Sequence, residues 1–143
     1  MKKKLSALLT AIFLLCSLLL SGCSKATPLP EGMEEEAVGK AAREVVALLV
    51  AGEYQSVADL FRPDMQQTYS VTAQTIEDLM AIVSNAGAFV KAEETLVLGG
   101  ENKNFSEPYA AVAVYCEHEE KNIVYEMSFD LDMALIGLAA KKK

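Results

Sequence analysis

The sequence predicts an α+β domain in which three N-terminal helices cover one face of an antiparallel sheet of about four strands. Apolar residues recur every three or four positions up to Gly87, which is typical of amphipathic helices, and every second position after it, which is typical of strands. The length of 143 residues suits one compact domain and leaves no room for two ordinary ones.

The first two predicted helices are bounded by residues that stop a helix. The first spans 33–51, with glutamates in its first turn, and ends at Gly52, because glycine readily adopts the left-handed conformation that follows a helix. The second spans 53–61 and is predicted to end at Pro63. The predicted buried stripe of the first helix is Val38, Ala41, Ala42, Val45, Leu48 and Leu49.

The third predicted helix follows a short segment with a weaker pattern. Residues 65–69 are interpreted as a brief strand or an irregular linker. Ser70 or Thr72 can then cap a helix that runs to about Asn85, because a side-chain oxygen at this position accepts a bond from a free backbone N–H.

Four strand segments follow, separated by polar or glycine-containing stretches that are typical of loops and tight turns. Gly99-Gly100 and the polar residues 101–107 form the longest predicted loop, and residues 130–133 a tight turn. The predicted strands span 89–98, 109–117, 122–130 and 134–138.

The N-terminus carries a targeting motif. Three lysines at 2–4 precede the uncharged stretch 5–20, in which 13 of 16 residues are apolar. The stretch ends in Leu20-Ser21-Gly22-Cys23, which resembles the signal of bacterial lipoproteins. The resemblance implies that the Cys23 thiol takes a diacylglyceryl group, that acyl chains such as palmitate follow, and that cleavage makes Cys23 the new N-terminus.

Two other interpretations of this stretch are open. It could be an uncleaved membrane helix, but it is shorter than the ~20 residues that a bilayer needs and has no basic flank after it. It could also be an ordinary signal peptide that is cleaved near Gly22, before a cysteine that is there by chance. Lipidation accounts for both the position and the residues of the motif, so we expect a protein anchored by lipid on the extracytoplasmic face of the cell membrane.

The predicted domain organisation is a signal peptide at 1–22, the lipidated cysteine with a tether at 23–32, and a single domain at 33–143. The signal carries three of the 13 basic residues and none of the 20 acidic ones, so the mature chain would have a formal charge of −10. This charge argues against a nucleic-acid partner, because neutralising phosphates needs clustered Lys and Arg. It also argues that lipid, rather than charge, holds the domain at an anionic bilayer.

Over about residues 38–140 the chain resembles the bacterial domain-of-unknown-function 3887 family, in the order and spacing of several short motifs that are each weak alone. The matching segments are Leu49-Val50-Ala51-Gly52-Glu53-Tyr54, then Val57 and Leu60-Phe61, Gly87-Ala88-Phe89, Phe129-Asp130 and Ile136-Gly137-Leu138. The resemblance implies a fold similar to the nuclear-transport-factor-2-like cone, with helices packed into a strongly curved sheet. No catalytic residues are established for that family, so the resemblance assigns none here.

Three tyrosines are candidate pocket residues, since a curved sheet and its helices often enclose a pocket. Tyr109 and Tyr115 share one face of a strand, and Tyr125 lies on the next strand. An isomerase or hydrolase of this fold would need a buried base facing such a hydroxyl. If Tyr125 points inward, the alternation turns Glu126 outward, where it is no buried base. The simpler interpretation is that the tyrosines pack across strands.

Other polar residues and the last cysteine have structural interpretations. His118, in Glu117-His118-Glu119-Glu120, is expected to be a solvated turn residue rather than an acid–base group or ligand. Asp130 and Asp132 begin like a calcium loop but lack its glycine and its final acid, so a hairpin turn is favoured. Cys116 would remain alone once Cys16 leaves with the signal peptide and Cys23 is lipidated, which allows no intramolecular disulfide, and it is expected to be buried.

The sequence therefore predicts a noncatalytic binding or interaction module held at the membrane through its lipid. Its ligand, a protein or a small molecule, stays open, as does the alternative of a small pocket enzyme, an isomerase or hydrolase. Homodimerisation through the sheet is a further possibility. We expect no metal ion, no cofactor and no catalytic residue.

Overall fold

The computed structural model describes residues 27–100 and 106–143. The predicted signal peptide at 1–22 and Cys23 lie outside the described residues, as does most of the predicted loop 101–107. In the described part, helices α1 to α4 and a single 3-10 turn precede strands β1 to β4, as predicted for an α+β domain. The elements are α1 Glu35–Ala51, α2 Tyr54–Asp59, α3 Pro63–Tyr69, α4 Ala73–Ala81, the turn Ser84–Ala86, β1 Phe89–Gly100, β2 Tyr109–His118, β3 Ile123–Phe129 and β4 Leu135–Lys142.

The prediction of three helices is wrong, because residues 65–69 belong to α3 rather than to a strand or linker. Pro63 does not end a helix, as the sequence predicts, but lies in the first turn of α3. Proline fits there because its missing N–H would have no helical partner and its φ angle is already helical. Ser70 ends α3 in a left-handed conformation with φ of 51°.

The start of α4 agrees with the prediction, and its end does not. The Thr75 N–H donates to the Thr72 hydroxyl oxygen at 3.3 Å, and the Thr72 N–H donates to the Thr75 hydroxyl oxygen at 2.8 Å. This reciprocal pair satisfies two backbone donors that the helix start leaves free. The helix stops at Ala81, four residues earlier than predicted, because the chain tightens into the 3-10 turn.

The sheet is antiparallel with strand order β1-β2-β3-β4, and the helices pack on one of its faces. Directly paired residues share a face, so the pair Val114 and Tyr125 defines the helix-facing side. That side carries Val112, Val114, Cys116, Ile123, Tyr125, Met127 and Leu138, all buried in the core. The opposite side carries Ala111, Ala113, Glu126 and Ala139 in the middle of the sheet.

Strand β1 is two residues longer than predicted because Gly99 and Gly100 still pair with β2, and the predicted tether bonds to this end. The Gly99 N–H donates to the Thr27 carbonyl at 2.9 Å, and a Cβ on Gly99 would overlap the Pro28 carbonyl oxygen. Leu29 and Met33 pack, partly buried, against the core. The described part of the tether therefore lies on the domain.

Replacing Gly99 with alanine is expected to displace residues 27 and 28 from β1, because the new methyl group takes the space of the Pro28 carbonyl. The Gly99 amide then loses its acceptor, and its hydrogen exchange should accelerate about tenfold, as for a lost hydrogen bond. Gly39→Ala is the matched control, since its Cβ would meet only the flexible end of Arg43 at 3.2 Å and ordinary neighbours. Unchanged protection of residue 99 in the first variant would contradict the docked tether.

The turn between β3 and β4 is the hairpin turn that the sequence predicts at residues 130–133. One carboxylate oxygen of Asp130 accepts from the N–H groups of Asp132 at 3.0 Å and Ala134 at 2.9 Å. The other oxygen lies 3.3 Å from the Arg62 guanidinium, which also pairs with Asp64 and Glu107. Arg62 therefore links the connection between α2 and α3 to the β3–β4 turn, through Asp130, and to Glu107, which lies just before β2.

The final strand β4 runs to Lys142, four residues beyond the prediction, because it pairs with β3 as far as Ile123. Lysines are common on edge strands such as this one. Of the helices that the structure describes, none combines the length and the apolar character needed to cross a bilayer.

Candidate functional site

A pocket of about 380 Å³ opens where the helices meet the beginning of β1. Gly87, with φ of 78°, turns the chain from the 3-10 turn toward β1 and leaves this opening between the layers. The lining residues come from the end of α1, from α2, from α4 and the turn after it, and from the paired ends of β1 and β2. They are Leu49, Val50, Tyr54, Glu77, Met80, Ala81, Val83, Ser84, Gly87, Ala88, Phe89 and His118.

His118 forms part of the pocket wall, so the prediction of a solvated turn residue is wrong. Its side chain lies at the end of β2, and the residue is only 8% exposed. One ring nitrogen, Nδ1, lies 3.0 Å from the Gly87 carbonyl oxygen, and Nε2 lies 3.1 Å from the Tyr125 hydroxyl. The Phe89 ring meets the imidazole edge to face, with 5.6 Å between the ring centres.

These contacts assign the tautomer of neutral His118. A carbonyl oxygen only accepts, so Nδ1 carries the proton and donates to Gly87. Nε2 is then an acceptor, and the Tyr125 hydroxyl donates to it. The arrangement satisfies every polar atom of the pair.

Tyr125 holds its proton firmly, which keeps it a donor. The residue is fully buried, and burial raises the pKa of its hydroxyl well above the ordinary value, with smaller contributions from Cys116 and Tyr54. Both ring nitrogens of His118 thus have protein partners. Before Nε2 could take a proton from a ligand in the pocket, the Tyr125 hydroxyl would have to release it, and Tyr125 does not itself line the pocket, so the site as built suits binding better than proton transfer.

The structure does not bring the three candidate tyrosines together. Tyr125 lies on the helix-facing side of the sheet, whereas Tyr109 and Tyr115 lie on the opposite side. The Tyr109 ring covers Gly100, where a Cβ would overlap it, and the Tyr115 ring has the Lys143 ammonium 5.0 Å from its centre. Of these tyrosines, only Tyr125 reaches the pocket, and it does so through His118.

Glu126 lies on the side opposite Tyr125, as the alternation predicts, yet it is only 2% exposed. Its carboxylate lies 2.5 Å from the Lys141 ammonium. A charged group at such depth needs a partner of opposite charge, and Lys141 supplies one. Period-two alternation therefore predicted the face of this residue but not its burial.

Cys116 is buried at 1% exposure, as predicted, and is the free cysteine of the described chain. Burial raises the pKa of its thiol from the ordinary 9.0 to about 11, with a smaller contribution from the Glu93 charge. A thiol with this pKa is an inert core group at neutral pH. Among the residues that the structure describes, no three His, Cys, Asp or Glu side chains lie close enough to hold a metal ion.

The stability of the protein is expected to fall as pH rises above 9. The folded state holds the Cys116 proton up to about pH 11, whereas the unfolded chain releases it near 9.0, so the folded state binds more protons in this window. The shift corresponds to a loss of about 3 kcal/mol by the end of the window. Urea denaturation at several pH values measures it. Cys116→Val should lack this part of the decline, and a decline of equal size in both proteins would contradict the assignment.

Sequence reasoning predicted a pocket but placed it at the wrong residues and missed its histidine, although one signal for the histidine was present. His118 continues the alternation of Val112, Val114 and Cys116, which predicts that it points inward. The acidic neighbours at 117, 119 and 120 favoured a solvated turn instead. The pocket itself depends on how α1, α2 and the end of β2 come together with α4 and the start of β1, and most of these segments are distant in sequence and leave no local pattern.

Comparison with known proteins finds a similar solved structure and a matching family model. The structure is similar to an NMR structure of a protein from Ruminococcus gnavus ATCC 29149, with 27% sequence identity, a TM-score of 0.66, and coverage of 80% of this chain and 96% of that chain. The comparison with curated proteins found no match. A family model described as a protein of unknown function, DUF3887, matches residues 42–138, which confirms the resemblance in the sequence: the chain belongs to this family.

Proposed function

We propose that the protein is a lipid-anchored binding module on the extracytoplasmic face of the cell membrane, and that its ligand occupies the pocket beside His118. The observation that carries the binding role is the pocket wall itself. Its one imidazole is held through both ring nitrogens, by Gly87 and by Tyr125, while apolar side chains form most of the remaining surface. Preformed apolar pockets with a few fixed polar groups are the usual sites of small ligands.

The docked tether supports the position of this pocket relative to the membrane. Only three residues separate Cys23 from Thr27, so the lipidated end would lie within about 14 Å of the far end of β1. The pocket is at the other end of the same strand, ten residues away, which is about 33 Å along β1. An upright domain would thus hold its pocket away from the lipid and open to the surrounding solution.

We also propose that the domain adopts the nuclear-transport-factor-2-like cone. Pairing shifts by a residue twice in β1, between Phe89 and Lys91 and between Ala92 and Glu94, and once more beside Phe129. Such bulges bend a sheet and increase its twist, which a cone requires. An experimental structure in which the strands stay flat would contradict this assignment.

Native mass spectrometry of the mature protein, extracted from membranes in mild detergent, tests the binding role. We expect a bound molecule that survives gentle ionisation. Ala81→Trp should remove it, because the indole would fill the pocket that Ala81 lines. Ala47→Trp is the matched control, since Ala47 is an exposed helical alanine outside the pocket.

The control variant should retain the bound molecule. A protein with no bound species, or one whose ligand is unaffected by Ala81→Trp, would overturn the proposed role of this pocket. The membrane anchor is tested separately, through Cys23.

A further inference from the structure

The side chains in and beside the pocket carry acidic groups, which bear on the charge of the ligand that the pocket can take. Of the residues that line it, Glu77 is the one with a carboxylate side chain. Glu77 lines the pocket and is exposed, so its carboxylate lies where the pocket meets solvent. The walls below are apolar, chiefly Leu49, Met80, Val83 and Phe89.

A second carboxylate lies beside residues that line the pocket. Glu119 accepts a hydrogen bond from the Ala88 N–H at 3.1 Å, and Ala88 lines the pocket. This bond holds the Glu119 carboxylate beside Gly87, which also lines the pocket and is exposed to solvent. The bond uses one oxygen of the carboxylate, so its negative charge and its other oxygen remain available at the rim.

The positive side chain nearest along β1 does not cancel these charges. The Lys91 ammonium lies 3.4 Å from the Glu117 carboxylate and 3.9 Å from that of Glu93, so two other acids already share it. Two aromatic residues, Tyr54 and Phe89, also face the pocket, and aromatic faces attract cations.

We infer that the pocket takes a small cationic amphiphile, with an apolar group between α1, α4 and β1 and an ammonium or guanidinium group at the rim near Glu77 and Glu119. A fatty acid of the same size would place its carboxylate against two like charges. This inference rests on the proposed function, because it names the ligand class of the same pocket.

Three probes of equal chain length test it: hexylammonium, hexanol and hexanoate. Their binding to the mature lipoprotein in nanodiscs of zwitterionic lipid is followed through the NMR signals of Phe89 and His118. We expect hexylammonium to bind tightest and hexanoate weakest, with about three- to tenfold between them, as for partly exposed charge pairs. Ala81→Trp should abolish the binding of all three.

Glu77→Gln and Glu119→Gln should each reduce the preference for the ammonium, and together remove it. Both changes keep the shape of the side chain, and in the second variant the new amide oxygen can still accept from the Ala88 N–H. Glu36→Gln, in the first turn of α1, changes the net charge equally and should leave the preference intact.

The outcomes separate this inference from the proposed function. Equal binding of the three probes, or tightest binding of hexanoate, overturns the cationic ligand class while the binding role stands. Failure of all three probes, together with the absence of any bound molecule in native mass spectrometry, overturns the binding role itself.

Discussion

Replacing Cys23 with serine is expected to abolish the incorporation of labelled palmitate into the protein. The thiolate is a far stronger nucleophile than a hydroxyl, and the predicted lipid transfer needs that sulfur. Cys16→Ser is the matched control. Cys16 lies seven residues before Cys23, within the apolar stretch 5–20, but the residues before it are leucines rather than small residues. It should leave labelling at the level of the unmodified protein.

The anchoring that follows from lipidation should show in the mature chain. One acyl chain holds a protein only marginally at a membrane, whereas two or three hold it stably. The mature protein should therefore partition into detergent and, by intact mass, begin at Cys23 with its acyl groups. Labelling of the Cys23→Ser protein at the normal level would disprove the assigned anchor and, with it, the membrane location.

Periodicity in the sequence was enough to predict the order of the layers. The three- and four-residue spacing of α1 and the two-residue spacing of β2 and β3 each reflect one face packed on a core. These patterns predicted α1 to within two residues of its start and placed all four strands. The turn at Asp130 was predictable for the same reason, because its side chain bonds to its own local backbone.

Errors arose where one residue type has two structural uses. Proline stops a helix or begins one, and the sequence around Pro63 does not distinguish these uses. Gly99-Gly100 is typical of a loop, but it serves close packing: the tether crosses Gly99 and the Tyr109 ring covers Gly100. Both contacts join residues far apart in sequence, so no local window contains the information.

The candidate site was the least predictable part. Alternation correctly predicted the sheet faces on which Tyr125 and Glu126 lie. It does not predict which side chains on the same face are neighbours, so the sequence could not show that Tyr125 contacts His118. That contact depends on the β2–β3 register. The register pairs Val114 with Tyr125 and brings the ring of His118, four residues further along β2, to the Tyr125 hydroxyl.

Loss of the His118 ring is expected to destabilise the described core strongly. In His118→Leu, the buried Tyr125 hydroxyl and the Gly87 carbonyl both lose their partners. An unsatisfied buried polar group costs about 1–3 kcal/mol, so we expect a loss of about 3 kcal/mol in the free energy of unfolding. Urea denaturation followed by far-ultraviolet circular dichroism measures it.

The double variant distinguishes this explanation from a simple packing defect. Tyr125→Phe alone should cost about 1 kcal/mol, since only Nε2 of a pocket-wall histidine loses its partner. With both residues changed, no hydroxyl remains to be satisfied, so the double variant should be more stable than the sum of the single effects predicts by at least about 1 kcal/mol. Tyr115→Phe, which removes a hydroxyl on the other side of the sheet, should change stability by less than about 0.5 kcal/mol. Additive costs of the two pocket changes would mean that the His118–Tyr125 hydrogen bond contributes nothing to the fold, and the rigid pocket wall inferred from it would be lost as well.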